Sequence, residues 1–346
     1  MKNTLTLTFF IFSLVSACIL AASTAHADSF GGGANQFDIS FVSIGDPNNP
    51  DDTTGEPNPA GKVEYAYRMG KFEISRDMIT KANNEGGLGI TMDSMGFVAG
   101  GARDDMPATG VSWFEAATFV NWLNTSQGHQ AAYNFDGGGN FQLWTSAEAW
   151  QTGGENLFRH KDAFYFLPSM DEWYKAAYFD ASSSTYFNYP TGSDTAPAAV
   201  ASGTAADTAV YSQNSSQGPA DITLAGGLSP YGTMGQGGNV WEWEETEFDL
   251  LNDSSSSARG VRGGFWDFNS NLLLSSSRNI GIPSLENGSV GFRVASIPEP
   301  STVLLGTLAS VGLLMRRRRQ ANPLSFLPLT LSPRSGARII LMDFDS

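Results

Sequence analysis

Between Phe37 and Ile44 the apolar residues Phe37, Ile39 and Phe41 alternate with Asp38 and Ser40, the period of two that marks a strand with one face on a core. Tyr65, Tyr67 and Met69 repeat the alternation, so a second strand is expected over Tyr65–Ile74. The period then changes. From Ser112 to Leu123 the apolar residues take helical spacing, and Ser112 with Glu115 three positions on forms a capping box. Ser169 and Glu172 repeat that device ahead of Trp173, and Pro168 closes the short apolar strand Phe164–Leu167. Between Ser182 and Ser229, Ser, Thr, Ala, Gly and Asn dominate with no sustained period, which predicts long ordered loops. The last strands are expected at Val261–Trp266 and Val290–Ala295.

The two ends follow other rules. Lys2, an apolar run from Leu5 to Leu20 and Ala25-His26-Ala27 are the charged, hydrophobic and small-residue parts of a secretory signal, residues 1–27, with cleavage after Ala27. Val15-Ser16-Ala17-Cys18 overlaps it as a lipoprotein box, but the apolar Ile19-Leu20 and the later Ala-x-Ala favour Ala27. Near the other end Pro298-Glu299-Pro300 leads into an apolar run at 303–315, short for a span of about 20 residues, followed at once by Arg316-Arg317-Arg318-Arg319. Those arginines would stay in the cytoplasm and leave the main domain outside. The order resembles the PEP-CTERM sorting tail of Gram-negative bacteria, here residues 298–319. The resemblance implies export across the inner membrane, recognition by an exosortase, and a place in the envelope, at the surface or in the medium. Residues 320–346 extend beyond the usual end of such a signal. Residues 28–57 form a lead-in holding the first strand, and 58–297 the main domain.

Cys18 is the only cysteine among 346 residues, so a chain cut after Ala27 has neither thiol nor disulfide. It must be held by its core or by bound ions. Lys and Arg number 20 against 35 Asp and Glu, a net charge of −15. That surface repels phosphate backbones, which argues against nucleic acid, and attracts cations. Asp104-Asp105 and the run Glu242, Glu244, Glu245, Glu247, Asp249 are expected as solvated acidic faces. His129 and His160 sit on no metal-ligand spacing and are expected at the surface, and no Gly-x-Ser-x-Gly element signals a serine nucleophile. The tryptophans are expected mainly in the core, with one or two rings left to stack on sugars. Glu242, between Trp241 and Trp243, is either a paired buried carboxylate or a ligand.

Several segments recur in a telling order. Arg68-Met69-Gly70-Lys71-Phe72-Glu73-Ile74-Ser75, Pro107 to Trp113 and Phe166 to Ala177 come first, then Gly237-Gly238-Asn239-Val240-Trp241-Glu242-Trp243, Arg262-Gly263-Gly264-Phe265-Trp266 and Gly291-Phe292-Arg293-Val294. Over residues 37–296 the chain resembles the formylglycine-generating-enzyme (sulfatase-modifying factor) family. The resemblance implies an α+β, C-type-lectin-like fold with little regular secondary structure and bound calcium. Its candidate ligands are the carbonyls of Gly235, Gly238 and Val240 and the Glu242 carboxylate, oxygen donors of the kind Ca2+ takes. Gly235 stands where relatives usually carry Asn or Asp, so one side-chain oxygen is missing. Family enzymes oxidise a substrate cysteine to formylglycine with two cysteines that hold copper. Counting back from Arg278 puts that pair at about Ser270 and Ser275, and no cysteine lies between Phe265 and Arg278. Copper(I) needs soft ligands, so neither copper nor the formylglycine-forming reaction is expected. Trp266, Asp267, Asn269, Asn271 and Arg278 remain as a candidate cleft. The expected function is a surface-displayed, non-catalytic module for a glycan or an envelope protein. The alternatives are an oxidoreductase of the same superfamily that needs no cysteine, and a structural matrix protein.

Overall fold

In the computed structural model, which describes residues 26–298, the first alternating stretch is a strand with the bounds expected of it. His26–Phe30 (β1) and Phe37–Ile44 (β2) pair antiparallel, and Phe37, Ile39, Phe41 and Ile44 face the core. Each such side chain contributes roughly 1.5–3 kcal/mol by leaving water. Tyr67–Gly70 (β3) is shorter than expected, because Ser75 caps a helix that sequence reading missed, Arg76–Gly86 (α1), by accepting the Met78 amide. Gly87, in the left-handed region at φ 62°, ends it.

Both capping boxes are formed. Trp113–Ser126 (α2) starts on Ser112 with Glu115 returning to the cap, and Met170–Tyr178 (α3) starts on Ser169 with Glu172. Between them lie Ala149–Trp150 (β4) and Asn156–His160 (β5), a hairpin, and Tyr165–Phe166 (β6). Residues 182–229 carry only two-residue ladders and 3-10 turns, as the lack of a period predicts.

Trp241–Glu247 (β7) is the middle of a second sheet. Arg259–Arg262 (β8) pairs with it antiparallel, Asn279–Gly281 (β9) flanks β8, and Val290–Gly291 (β10) runs parallel on its other side. The expected strand Val290–Ala295 is interrupted, because the chain leaves this sheet after Gly291 and enters the first one at Ala295–Ser296 (β11). There β11 sits between β3 and β6, giving the order β1-β2-β3-β11-β6. Between the sheets an aromatic core gathers on Trp113, whose ring meets Phe141 at 5.0 Å and Tyr133 at 5.3 Å. The result is a mixed fold, mostly short strands with three helices among the described residues.

Ala27, the expected cleavage position, lies in β1 opposite Ser40. Asp28 beside it is buried and takes both terminal nitrogens of Arg68 at 2.7 and 3.0 Å and the Tyr165 hydroxyl at 2.8 Å. The rest of the expected leader with Cys18, the apolar run at 303–315, the arginine cluster and residues 320–346 lie outside the described residues. Among the described residues no helix is long and apolar enough to cross a membrane.

Candidate functional site

The acidic run on β7 is not a solvated face. Glu242, Glu244, Glu245 and Glu247 are all fully buried, and an unpaired carboxylate there would be prohibitively costly. Each meets an arginine. Arg293 holds Glu242 through two nitrogens at 2.5 and 2.6 Å, and the Trp173 indole adds a bond at 2.7 Å. Glu244 accepts from Arg262 at 2.6 Å and from Arg278 at 2.8 and 2.9 Å. Arg159 is shared, at 2.7 Å from Glu245 and 2.8 Å from Glu172. Glu247 accepts the amides of Asp253 and Ser254, with Arg259 at 3.9 Å. Burial pushes Glu172 up, but Arg159 more than offsets it and holds the carboxyl below its usual range. Glu245, on the same guanidinium, is left raised by its burial. The run was misread because four of the six residues from Glu242 to Glu247 are acidic, while their counter-charges come from Arg159, Arg259, Arg262, Arg278 and Arg293, 12 to 86 residues away.

This arrangement decides between the two readings of Glu242. Its oxygens serve Arg293 and Trp173, and the guanidinium already supplies the positive charge that calcium was expected to bring. Gly235 has no side-chain oxygen, and a Cβ there would lie 2.7–2.8 Å from the Glu73 carboxylate. Gly238 donates its amide to the Gly263 carbonyl at 2.7 Å, and Val240 is fully buried in an apolar cluster. Glu242 thus stands as a paired buried carboxylate with Arg293 as its counter-charge. Among the described residues no group of three or more His, Cys, Asp or Glu side chains is disposed around a metal. Sequence reading missed Glu73. Its Oε1 takes the Asn239 amide at 2.9 Å, its Oε2 is buried without a partner, and burial together with the Glu242 charge pushes its carboxyl up to about 8.

The segment that would hold the cysteine pair is split in two. Ser270 opens a 3-10 turn capped by Asn269, whose side chain accepts the Asn271 amide. Ser275 is buried, and its carbonyl accepts from Arg262 at 3.3 Å. Arg278 is committed to Glu244 and to the carbonyls of Glu247 and Phe248, so it does not face a cleft. Asp267 and Asn271 are exposed. Trp266 alone of the expected group lines an open cleft, of about 660 Å³, with Phe97, Met92 and Phe265 as apolar walls and Asp93, Glu286 and Asn287 as polar ones. Phe97, half exposed, lies parallel to the Trp266 ring with centroids 6.0 Å apart. It sits on a loop with Gly96, Gly100 and Gly101, a signal that the sequence carried but that had no partner until Trp266 was placed. His129 is exposed and stacks on Phe164, as expected of a surface residue. His160 is instead buried, its ring edge-on to Trp144 at 4.6 Å and its Nδ1 accepting the Asp162 amide.

Over residues 38–297 the chain matches the sulfatase-modifying factor enzyme 1-like domain, and it belongs to that family. The fold is shared with solved structures at low identity. Treponema denticola variable protein 1 superimposes with a TM-score of 0.54 at 18% identity, over 80% of this chain and 100% of the other. CarF gives 0.53 at 18% identity, over 75% and 99%. No curated protein matches the chain.

Proposed function

We propose that the protein is an exported, surface-displayed binding module that has kept the family's C-type-lectin-type scaffold and lost its chemistry. One observation carries the reading. The Phe265–Arg278 segment, where the resemblance places two thiols, has none. It gives one wall of an open aromatic cleft through Trp266, while Ser275 and Arg278 are tied into the core. A cleft of this size lined by rings, an asparagine and two carboxylates suits a glycan, whose C–H faces pack on aromatics and whose hydroxyls need acceptors. An envelope protein is the other occupant in keeping with the setting. The secretory signal and the PEP-CTERM-like tail support a Gram-negative envelope or extracellular location reached through an exosortase. The acidic balance speaks against nucleic acid.

The test is thermal melting of the purified protein against a panel of envelope and exopolysaccharide fragments. A saturable ligand should raise the melting temperature, and Phe97→Ala should weaken its binding about tenfold by removing an exposed stacking ring. Stoichiometric copper with oxidation of a cysteine-containing peptide would overturn the reading.

A further inference from the structure

Strand β7 begins next to the segment that lines the Trp266 cleft and ends at a second cavity, of about 430 Å³, that shares no lining residue with the first. Its wall is aromatic. Trp150, in the β4–β5 hairpin, meets Tyr65 edge-on with centroids 5.2 Å apart. The Trp150 indole nitrogen already donates to the Thr152 carbonyl at 2.7 Å and the Arg159 guanidinium lies 5.4 Å from the ring centroid, so the ring is fixed and has at most one face to offer. The hairpin turn beside it carries Gly153 and Gly154. A Cβ at Gly154 would meet nothing within 4 Å, and one at Gly153 would meet only the Tyr65 ring edge at 3.9 Å. Space next to the aromatic pair is therefore open.

The charge around this cavity is one-sided. Arg159 on its floor is outnumbered by the two carboxylates, Glu172 and Glu245, that share it. Asp171 on the wall receives one hydrogen bond, from the Gly61 amide at 2.6 Å, and its other oxygen has no donor among the described residues. Burial pushes its carboxyl up to about 6, which leaves it ionised at neutral pH. Glu64 and Glu155 stand on the rim against one exposed cation, Lys62. An apolar ring face with this excess of carboxylates suits a ligand that is flat on one side and positively charged on another.

We infer that this cavity binds a sugar bearing a free primary ammonium group, a hexosamine unit whose pyranose face lies on Trp150 and whose ammonium meets Asp171, with Glu155 at the rim. A lysine side chain would supply the charge but not the bulk, since the cavity falls in the size range of ligand pockets, about 300–1,000 Å³. The site is independent of the Trp266 cleft, and either can fail without the other.

Calorimetric titration of the full protein with a glucosamine trisaccharide tests it, at about 0.15 M salt so that attraction to the acidic surface as a whole is screened. The N-acetylated trisaccharide and a glucose trisaccharide serve as comparisons. Saturable binding of the glucosamine form alone is expected, weakened about tenfold by Trp150→Ala and by Asp171→Asn and unchanged by Phe97→Ala. Should Asp171→Asn disturb the start of α3, the rim variant Glu155→Gln carries the same test, with a loss of about threefold. No saturable binding, equal binding of the N-acetylated form, or binding indifferent to Trp150→Ala and Glu155→Gln would each overturn the proposal.

Discussion

Strands β2 and β7 sit in different sheets and solve burial in opposite ways. In β2 apolar side chains point inward and Asp38 points to water, so the alternation of the sequence is the alternation of the structure. In β7 all seven residues are buried, and the acidic ones are neutralised in place by arginines from elsewhere in the chain. An acidic residue in a strand is thus no measure of exposure. What decides is whether the fold can bring a guanidinium within hydrogen-bond reach, and planar, forked Arg suits that task better than Lys.

The largest expected effect comes from breaking the β7 arrangement. Glu244→Ala leaves Arg262 and Arg278 without their counter-charge and should cost about 3–5 kcal/mol in denaturant unfolding. Glu244→Gln, which keeps the shape and one acceptor, should cost less. An intermediate effect distinguishes Glu73, the one buried carboxyl of this neighbourhood without an arginine on it. Its proton is kept in the folded state up to about pH 8 and released by the unfolded chain from about 4.5 upward, so stability declines between those values. Glu73→Gln should remove that decline, and its melting temperature should exceed that of the parent protein increasingly from pH 5 to pH 8. The difference is a few kcal/mol at most, since each unit is worth about 1.4 kcal/mol. The smallest effect belongs to β2. Asp38→Ala, at an exposed position, should change stability by about 0.5 kcal/mol or less. Equal losses for Asp38→Ala and Glu244→Ala would erase the contrast between the strands.

What the sequence disclosed was local. The two capping boxes are complete within four residues, and β2 is complete within its own alternation, so Ser112, Ser169 and Phe37–Ile44 were legible. Helix α1 was hidden because its apolar face is small, with only Ile79 and Ala82 buried. Of the expected cleft group, Trp266 does line an open cleft, whereas Arg278 was expected there and is bonded to Glu244 instead. Phe97, Glu73 and the Trp150–Tyr65 wall depend on contacts between distant segments, Trp150 lying 85 residues beyond Tyr65. No spacing rule reaches that far.

The bond between Arg293 and Glu242 also sets an order in time. A chain that leaves the ribosome from its N-terminus delivers Glu242 well before Arg293, and the β11 strand that closes the first sheet comes later still. Until that last stretch arrives, β7 carries a carboxylate with no counter-charge and the first sheet lacks the strand between β3 and β6. The two sheets cannot both be completed before residues 290–296 have been made, so the segments ahead of them wait on a late stretch of the chain.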